Sequence, residues 1–251
     1  MKFDLAQDTR IGARRINQDC LGSWQTDSAL LLAVADGLGG HLRGEVAARL
    51  AIGILGAAFR REASPTIADP GVFLACAMNA AHAAILLEGQ KLGLPETPRT
   101  VIAACIVQDG YACWTHVGDC RLYLVRQGRI LHRTKDHTVV QQLIDQGRIR
   151  EEASASHPER NRLLQCLGGY QAPRPDPASM ERLAKNDVLL LCSDGLWGPL
   201  TQRQILHALI SRPLAAAIPE LVELAERRAG EQCDNVTVLA MAWGEEQVAG
   251  Q

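Results

Sequence analysis

The apolar residues of this chain form two kinds of run, and the kind changes along the sequence. Residues 44–62 and 71–91 are rich in alanine and leucine, with apolar positions recurring every three or four residues, which predicts two helices. From residue 100 to residue 134 the runs become short and are broken by the turn sequences QDG and RQG. This second pattern predicts a meander of antiparallel strands.

The second half of the chain mixes both patterns. Residues 138–147 are typical of a short helix, with Thr138 and Gln141 spaced as a capping box and Gly147 as its end. The strand-like runs DVLLLCSDG and NVTVLAMAW enclose helical segments at 201–210 and 214–230. Blocks of strands beside pairs of helices predict a layered α+β fold with antiparallel sheets. The chain carries no repeat, low-complexity tract or long linker, so we expect a single domain over residues 1–251.

Composition and charge narrow the classes of partner. A chain of 251 residues with 47% hydrophobic residues can bury a full core. The formal charge of -2 offers no basic surface for nucleic acid or an anionic membrane, so small molecules or proteins are the expected partners. The opening residues MKFDLAQDTR lack the apolar core of a signal peptide, and no apolar run approaches the ~18 residues of a membrane span. We therefore expect a soluble cytoplasmic protein, without an anchor or sensor after the short polar tail GEEQVAGQ.

Eight cysteines raise the question of a zinc site or disulfides. They form no CxxC pair and mostly lie inside apolar runs. Small core residues in a reducing compartment are the better interpretation, and zinc is disfavoured.

Aspartates stand at the ends of four strand-like runs. LLLAVAD ends at Asp36, WTHVGD at Asp119 and VLLLCSD at Asp194, while Asp234 precedes NVTVLAMAW. Each one alone fits an ordinary turn, in which the side chain bonds to the nearby backbone. Four carboxylates gathered at one rim would repel one another unless cations neutralised them. The sequence therefore predicts a divalent metal site, and oxygen ligands without nearby Cys or a His pair favour Mg²⁺ or Mn²⁺.

Seven segments together carry a family resemblance that spans the chain from residue 14 to residue 242. They are RRINQD, VADGLGGH, HVGDCRLYLV, TKDHTVVQQLIDQGRI, NRLLQCLGG, LLLCSDGLWG and CDNVTVLAMA, in that order. The series resembles the metal-dependent protein phosphatases of the PP2C type, in a bacterial stand-alone form. The resemblance implies a four-layer α-β-β-α sandwich of two antiparallel sheets with flanking helices. It also implies hydrolysis of phosphoserine and phosphothreonine in proteins by a metal-activated water.

The resemblance assigns metal ligands residue by residue. Asp36 would bridge two Mn²⁺ or Mg²⁺ ions, with the carbonyl of Gly37 on one ion and Asp194 and Asp234 on the other. Asp119 would join Asp194 in binding a third, weaker ion, as in bacterial members. Paired ions suit phosphoryl transfer because they supply a nucleophile and neutralise charge, so no Ser or Cys nucleophile is required.

Two further residues complete the implied catalytic set with Asp36. Asp19 matches the acid that holds the attacking water. Arg14 matches the phosphate-binding arginine, whose planar fork can bind two phosphate oxygens; only the family spacing prefers it over Arg15. Leu38 occupies the position where many eukaryotic members have a histidine thought to protonate the leaving oxygen. His41 is a weak candidate for that role, and a structural hydrogen bond is at least as good an explanation.

Other motif residues receive structural explanations. Cys120 stands where serine is commoner and is interpreted as a buried, inert thiol, and Gln18 replaces the usual Glu; neither change removes an acid. Asp136 and His137 suit helix capping and packing better than catalysis. The polar segment 147–161 lies where the family has a flap beside the active site. Ser154 or Ser156 could reach the third ion, and the sequence does not choose between them.

Three classes of function remain open at this point: a serine/threonine phosphatase, a catalytically silent binding module on the same scaffold, and a two-metal hydrolase of another phosphate ester. The full acid set with Arg14 favours the first, and the near-neutral charge and few aromatic residues disfavour a nucleic-acid phosphodiesterase. Within the first class, the stress-response branch that acts on anti-sigma antagonists is a nearer alternative, but the Arg14 motif and the DHT segment argue against it. The resemblance implies a monomer that opposes a serine/threonine kinase, with that kinase and its targets as substrates, sometimes including forkhead-associated proteins.

Overall fold

Ten strands and six helices make up the part of the chain that the computed structural model describes, residues 1–38 and 43–244. The strands are β1 Phe3–Arg10, β2 Asp19–Gln25, β3 Ala29–Gly37, β4 Thr100–Gln108, β5 Tyr111–Val117, β6 Arg121–Arg126, β7 Arg129–Arg133, β8 Ser179–Arg182, β9 Val188–Cys192 and β10 Val236–Trp243. The helices are α1 Gly44–Glu62, α2 Pro70–Lys91, α3 Val139–Asp145, α4 Asp194–Trp197, α5 Gln202–Ser211 and α6 Leu214–Ala229. Short 3₁₀ helices add Glu151–Ser156 and Gly230–Gln232.

The strands form two antiparallel sheets of five. Their orders are β1-β10-β9-β6-β7 and β2-β3-β4-β5-β8. The predicted meander is confirmed as β4 to β7, although it divides between the sheets after β5. Thr138 caps α3 by accepting a hydrogen bond from the N–H of Gln141, as its spacing predicts.

Three apolar layers join these elements into a four-layer sandwich. Side chains alternate along β3, so Leu31 packs under α1 and α2 while Leu32 faces the other sheet. Leu191 belongs with Leu32 to this central layer, and helices α5 and α6 cover the far side of the second sheet. Each such leucine removed from water stabilises the fold by roughly 2 kcal/mol. The α-β-β-α architecture expected from the resemblance is therefore confirmed.

Helix α2 corrects one expectation. By length and composition alone it could cross a membrane, with a mean hydropathy of 1.6 over its most apolar window, and it is the one such helix among residues 1–38 and 43–244. The statement that no apolar stretch approaches a membrane span is thus wrong for this helix. In the fold, Leu74, Met78 and Ile85 are buried in the layer beneath α1. Core helices of ordinary globular proteins pass the same test, so the helix is weak evidence for a membrane span.

Candidate active site

Five aspartates lie at strand ends on one edge of the two sheets. Asp19 opens β2 and is the direct cross-strand partner of Asp36 near the end of β3. Asp119 lies between β5 and β6, Asp194 follows β9, and Asp234 precedes β10. The negative charges of the other four aspartates all raise the pKa of Asp36. The structure therefore brings together the five acids that the sequence analysis singled out.

Asp19 is anchored through one carboxylate oxygen only. Ser193 donates from Oγ to Asp19 Oδ2 at 2.7 Å. The other oxygen, Oδ1, is buried and has no hydrogen-bond partner in the described part of the chain. Burial raises the pKa of Asp19 to about 7, and repulsion from Asp194 and Asp234 adds to the effect of burial, while hydrogen bonds oppose it. A buried carboxylate oxygen without a partner is costly, and a cation or an ordered water would satisfy it.

Burial and charge repulsion also raise the pKa values of three other aspartates in the group. Burial raises the pKa of Asp36 well above its usual range, and Asp19 and Asp194 raise it further. The pKa of Asp194 is raised to about 6 by burial and by Asp234, against a hydrogen bond with Asp36. Asp119, only 8% exposed, has a strongly raised pKa for the same two reasons, burial first. This donor set of crowded carboxylates fits hard divalent cations, which would remove the repulsion.

Arg14 lies at the open side of the group. Its Nη2 atom is 2.6 Å from Asp234 Oδ2, and both side chains are partly exposed. The guanidinium therefore supplies positive charge directly at the rim of the acids, within reach of solvent. An arginine in this position can bind an incoming phosphate with its planar fork.

A buried asparagine fixes the loop that carries Arg14. Asn235 Oδ1 accepts the backbone N–H of Gln18 at 2.7 Å. Its amide donates to the carbonyls of Ile11 at 2.8 Å and Ile16 at 3.0 Å. Three hydrogen bonds from one side chain thus clamp both ends of the Arg14 loop to the start of β10. The sequence patterns gave Asn235 no role. The feature that could have pointed to it was its position next to Asp234, within the segment CDNVTVLAMA that carries the family resemblance.

Ser193 is the second residue that sequence reasoning missed. Besides donating to Asp19, its Oγ accepts the backbone N–H of Thr237 at 3.0 Å. Ser193 is fully buried. It therefore connects β9, β10 and the first residue of β2 at the point where the acids converge.

The backbone beside Asp119 is held on two sides. Gly118 adopts φ +99, and a Cβ there would lie 2.0 Å from the Val101 side chain, so no other residue fits. The N–H of Gly118 donates to His137 Nδ1 at 3.1 Å. On the other side, Trp197 Nε1 donates to the carbonyl of Asp119 at 3.1 Å. These contacts fix the direction in which Asp119 leaves the sheet.

Asp136 and His137 have the packing roles expected of them, but neither caps α3, since Thr138 does so. Arg121 binds Asp136 through two hydrogen bonds of 2.9 and 2.7 Å and lies 3.6 Å above the Trp197 ring. This pair supports the tryptophan that holds Asp119. The pair is nearly buried, so its geometry is fixed more firmly than that of the surface ion pairs.

A separate group of ligand-type side chains lies behind this support. Atoms of His116, His137 and Asp176 lie within 4.8 Å of one another. Because His137 Nδ1 accepts the N–H of Gly118, its Nε2 carries the proton and faces Asp176 Oδ1 at 3.2 Å. His116 donates from Nε2 to the carbonyl of Lys135 at 2.7 Å. With both nitrogens of His137 already engaged, the group is a brace for Gly118.

Close backbone packing explains the glycine after Asp36. A Cβ on Gly37 would lie 2.4 Å from the carbonyl oxygen of Gly44, at the start of α1. Leu38 is partly buried against the layer between the sheets and offers no proton. His41 lies outside the described residues.

The predicted flap contains a short 3₁₀ helix, Glu151–Ser156. Ser154 lines a cavity of about 640 Å³ that Asp194 also lines. The side chain of Ser156 lies outside what the structure describes. Of the two serines, Ser154 is therefore the one shown to face the same cavity as an acid of the site.

Cys120 is buried beside the acids. It is 1% exposed, and burial raises the pKa of its thiol well above the usual range. A thiol that stays protonated and sheltered reacts slowly with oxidants. These features agree with the interpretation of Cys120 as an inert core residue.

Comparisons with known proteins agree with this geometry. The family model for protein phosphatase 2C matches residues 6–232. The serine/threonine protein phosphatase PstP of Mycobacterium tuberculosis is 39% identical over 212 residues, which cover 84% of this chain and 40% of PstP. This chain thus spans about 40% of the length of that relative. The protein phosphatase PhpP of Streptococcus pneumoniae is 30% identical over 247 residues, covering 95% of this chain and 96% of PhpP.

One solved structure that is similar to this chain is a manganese complex. The catalytic domain of PstP in complex with two manganese ions superimposes with a TM-score of 0.81 at 32% identity, covering 97% of this chain and 99% of that chain. The family model and the relatives each cover more than two thirds of this chain. The chain therefore belongs to the protein phosphatase 2C family.

Proposed function

We propose that this chain is a metal-dependent serine/threonine protein phosphatase that hydrolyses phosphoserine and phosphothreonine in proteins. The observation that carries the proposal is the group of five aspartates at one edge of the sandwich, with Arg14 beside it. The names of the relatives and the manganese complex of PstP support the same activity.

Mn²⁺ or Mg²⁺ is the proposed cofactor. Asp36 would take part in binding two ions, with the Gly37 carbonyl, Asp194 and Asp234 as further ligands. Asp119 and Asp194 would hold a third, weaker ion. The unpartnered oxygen of Asp19 and the raised carboxyl pKa values support cations at this edge. When bound, such ions lower the pKa of water and offset the charge that develops on a phosphate.

Asp19 and Arg14 have separate roles in the proposed hydrolysis. Asp19, fixed by Ser193 through Oδ2, presents Oδ1 to accept a hydrogen bond from the attacking water and so orients it. Arg14 exchanges its contact with Asp234 for the phosphate and holds it in line with that water. Leu38 cannot protonate the leaving oxygen, so we assign no side chain to that step.

The wider role follows from the family and stays a prediction. We expect a monomeric, cytoplasmic, single-domain enzyme that acts on phosphorylated proteins, including a cognate serine/threonine kinase and its targets, some of them forkhead-associated proteins. A silent binding module would be expected to have lost one of the acids, and all five are present. A net charge of -2 does not indicate the broadly basic surface that a nucleic-acid phosphodiesterase would need.

One assay tests the activity and the metal site together. Phosphate release from a phosphothreonine peptide is measured with Mn²⁺, with EDTA, and with the variants Asp194→Asn and Asp109→Asn. Asp109 is an exposed turn residue with φ 52, a conformation that asparagine also tolerates, so its variant is the matched control. We expect turnover that needs Mn²⁺, falls at least about a thousandfold in Asp194→Asn and is unchanged in the control. Folded, Mn²⁺-loaded protein without turnover would instead support the binding module.

A further inference from the structure

A groove of about 750 Å³ opens beside the acidic edge, between Leu38 and the segment 161–174. Leu38 directly follows Gly37, and its N–H donates to the carbonyl of Arg99 at 3.0 Å. One wall of the groove therefore begins where β3 leaves the acids. Asn161 lines both this groove and the cavity that Asp194 lines. The groove therefore adjoins, at Asn161, the cavity that Asp194 lines.

The groove has both polar and apolar walls, and part of it is fixed by the core. Leu38, Leu163 and Cys166 pack against the layer between the two sheets, so this side is anchored to the core. Leu164 is 49% exposed and Tyr170 89% exposed, although both are large apolar side chains. An exposed tyrosine and leucine beside a concave surface are typical of sites that bind another chain.

The charged side chains that line the groove in the described part of the chain are both positive. Arg99 and Arg174 line it, and no acidic residue does so within the described part of the chain. Arg99 lies 5.4 Å from the centre of the Tyr170 ring, and its Nε atom is buried without a hydrogen-bond partner. Elsewhere Arg121 and Arg126 are neutralised by buried aspartates. The groove therefore offers two cations that the described chain does not neutralise, next to an apolar surface.

We propose that this groove binds the residues of a substrate protein that adjoin the phosphorylated side chain, and that Arg99 and Arg174 select an acidic residue there. The inference rests on the proposed phosphatase function and adds a sequence preference to it. An apolar residue of the substrate would pack on Leu164 and Tyr170. The fit of a negative segment to this surface follows from charge complementarity and from the contact, at Asn161, with the cavity that Asp194 lines.

The test compares two phosphothreonine peptides that differ only in flanking residues, Glu in one and Lys in the other. Their kcat/KM values with Mn²⁺ are measured for the wild type, Arg99→Glu and Arg174→Glu, each normalised to p-nitrophenyl phosphate hydrolysis by the same protein. Arg203→Glu is the matched control, because Arg203 is exposed in the first turn of α5, away from the groove. We expect the wild type to favour the acidic peptide by about fivefold or more, and either groove variant to remove or reverse that preference.

The outcomes separate the two proposals. Equal kcat/KM for both peptides in the wild type, or a preference that both groove variants and Arg203→Glu leave intact, would overturn the groove proposal while the phosphatase activity stands. If the wild type hydrolyses neither the peptides nor p-nitrophenyl phosphate, the phosphatase proposal fails. Fluorescence anisotropy of the same labelled peptides would then decide the groove proposal, since selective binding of the acidic peptide must still be lost in Arg174→Glu.

Discussion

Replacing Asp194 by asparagine should stabilise the metal-free protein while abolishing its activity. The pKa of Asp194 is raised from 3.8 to about 6, by burial first and then by the charge of Asp234. One pKa unit corresponds to about 1.4 kcal/mol, so holding this side chain ionised in the fold costs about 3 kcal/mol near neutral pH. Solvent reaches part of the side chain and screens the repulsion, which lowers the expected gain to about 2 kcal/mol.

The stability gained in Asp194→Asn depends on pH, and its direction follows from the raised pKa of Asp194. A carboxyl whose folded pKa lies above its unfolded pKa carries no penalty where both states are protonated. The penalty grows as the pH rises through the window between 3.8 and about 6, and it is complete above that window. The gain in Asp194→Asn should therefore be small near the lower end of this window and full at neutral pH.

Urea unfolding with excess EDTA measures the free energy of unfolding near pH 3.8 and at neutral pH. The proteins compared are the wild type, Asp194→Asn and the exposed control Asp109→Asn. Added Mn²⁺ should then stabilise the wild type more than Asp194→Asn, because binding to the folded state shifts its stability. A variant that is equally destabilised at every pH would refute the reasoning. That result would mean that the Asp194 carboxylate stabilises the fold by its contacts more than it weakens it by repulsion.

Three further substitutions test the supports of the site. Ser193→Ala should lower kcat about tenfold and the free energy of unfolding by about 1–2 kcal/mol, because it frees Asp19; steady-state kinetics and urea unfolding measure both. Arg14→Ala should raise KM for a phosphopeptide at least about tenfold, and an unchanged KM would contradict phosphate binding. Arg121→Lys should lower the free energy of unfolding by about 2 kcal/mol, because lysine cannot make both hydrogen bonds to Asp136; an equal midpoint in urea would disprove this.

Most elements that sequence patterns predicted have a buried face; the exposed edge strand β7 is an exception, which the RQG turn before it marked. Strands β3, β4 and β9 are buried along almost their whole length, and their apolar runs made them easy to recognise. Strands β1, β2 and β8 were missed, and each lies at the edge of its sheet. An edge strand is half exposed and carries no continuous apolar run, so its hydrogen-bond partner decides its structure. That information is not local in the sequence.

The candidate site divides in the same way. Asp36, Asp119, Asp194 and Asp234 stand out in the sequence because each interrupts an apolar run. Asp19 opens the edge strand β2, and only the family resemblance pointed to it. The supports Ser193 and Asn235 could not be recognised, because serine and asparagine beside aspartate are also ordinary turn residues. Their roles depend on contacts across 174 and 217 positions of the chain.

The geometry of the sandwich itself explains why the acids gather. A strand that is covered on both faces cannot carry a carboxylate along its length, since an isolated buried charge is too costly. β3 is buried from Ala29 to Ala35, so Asp36 is the first position at which an acid reaches the rim. β9 is likewise buried up to Cys192, and Asp194 follows two residues later. Because the sheets pack face to face, these strand ends meet, and the fold concentrates negative charge that only buried hydrogen bonds and bound cations can hold in place.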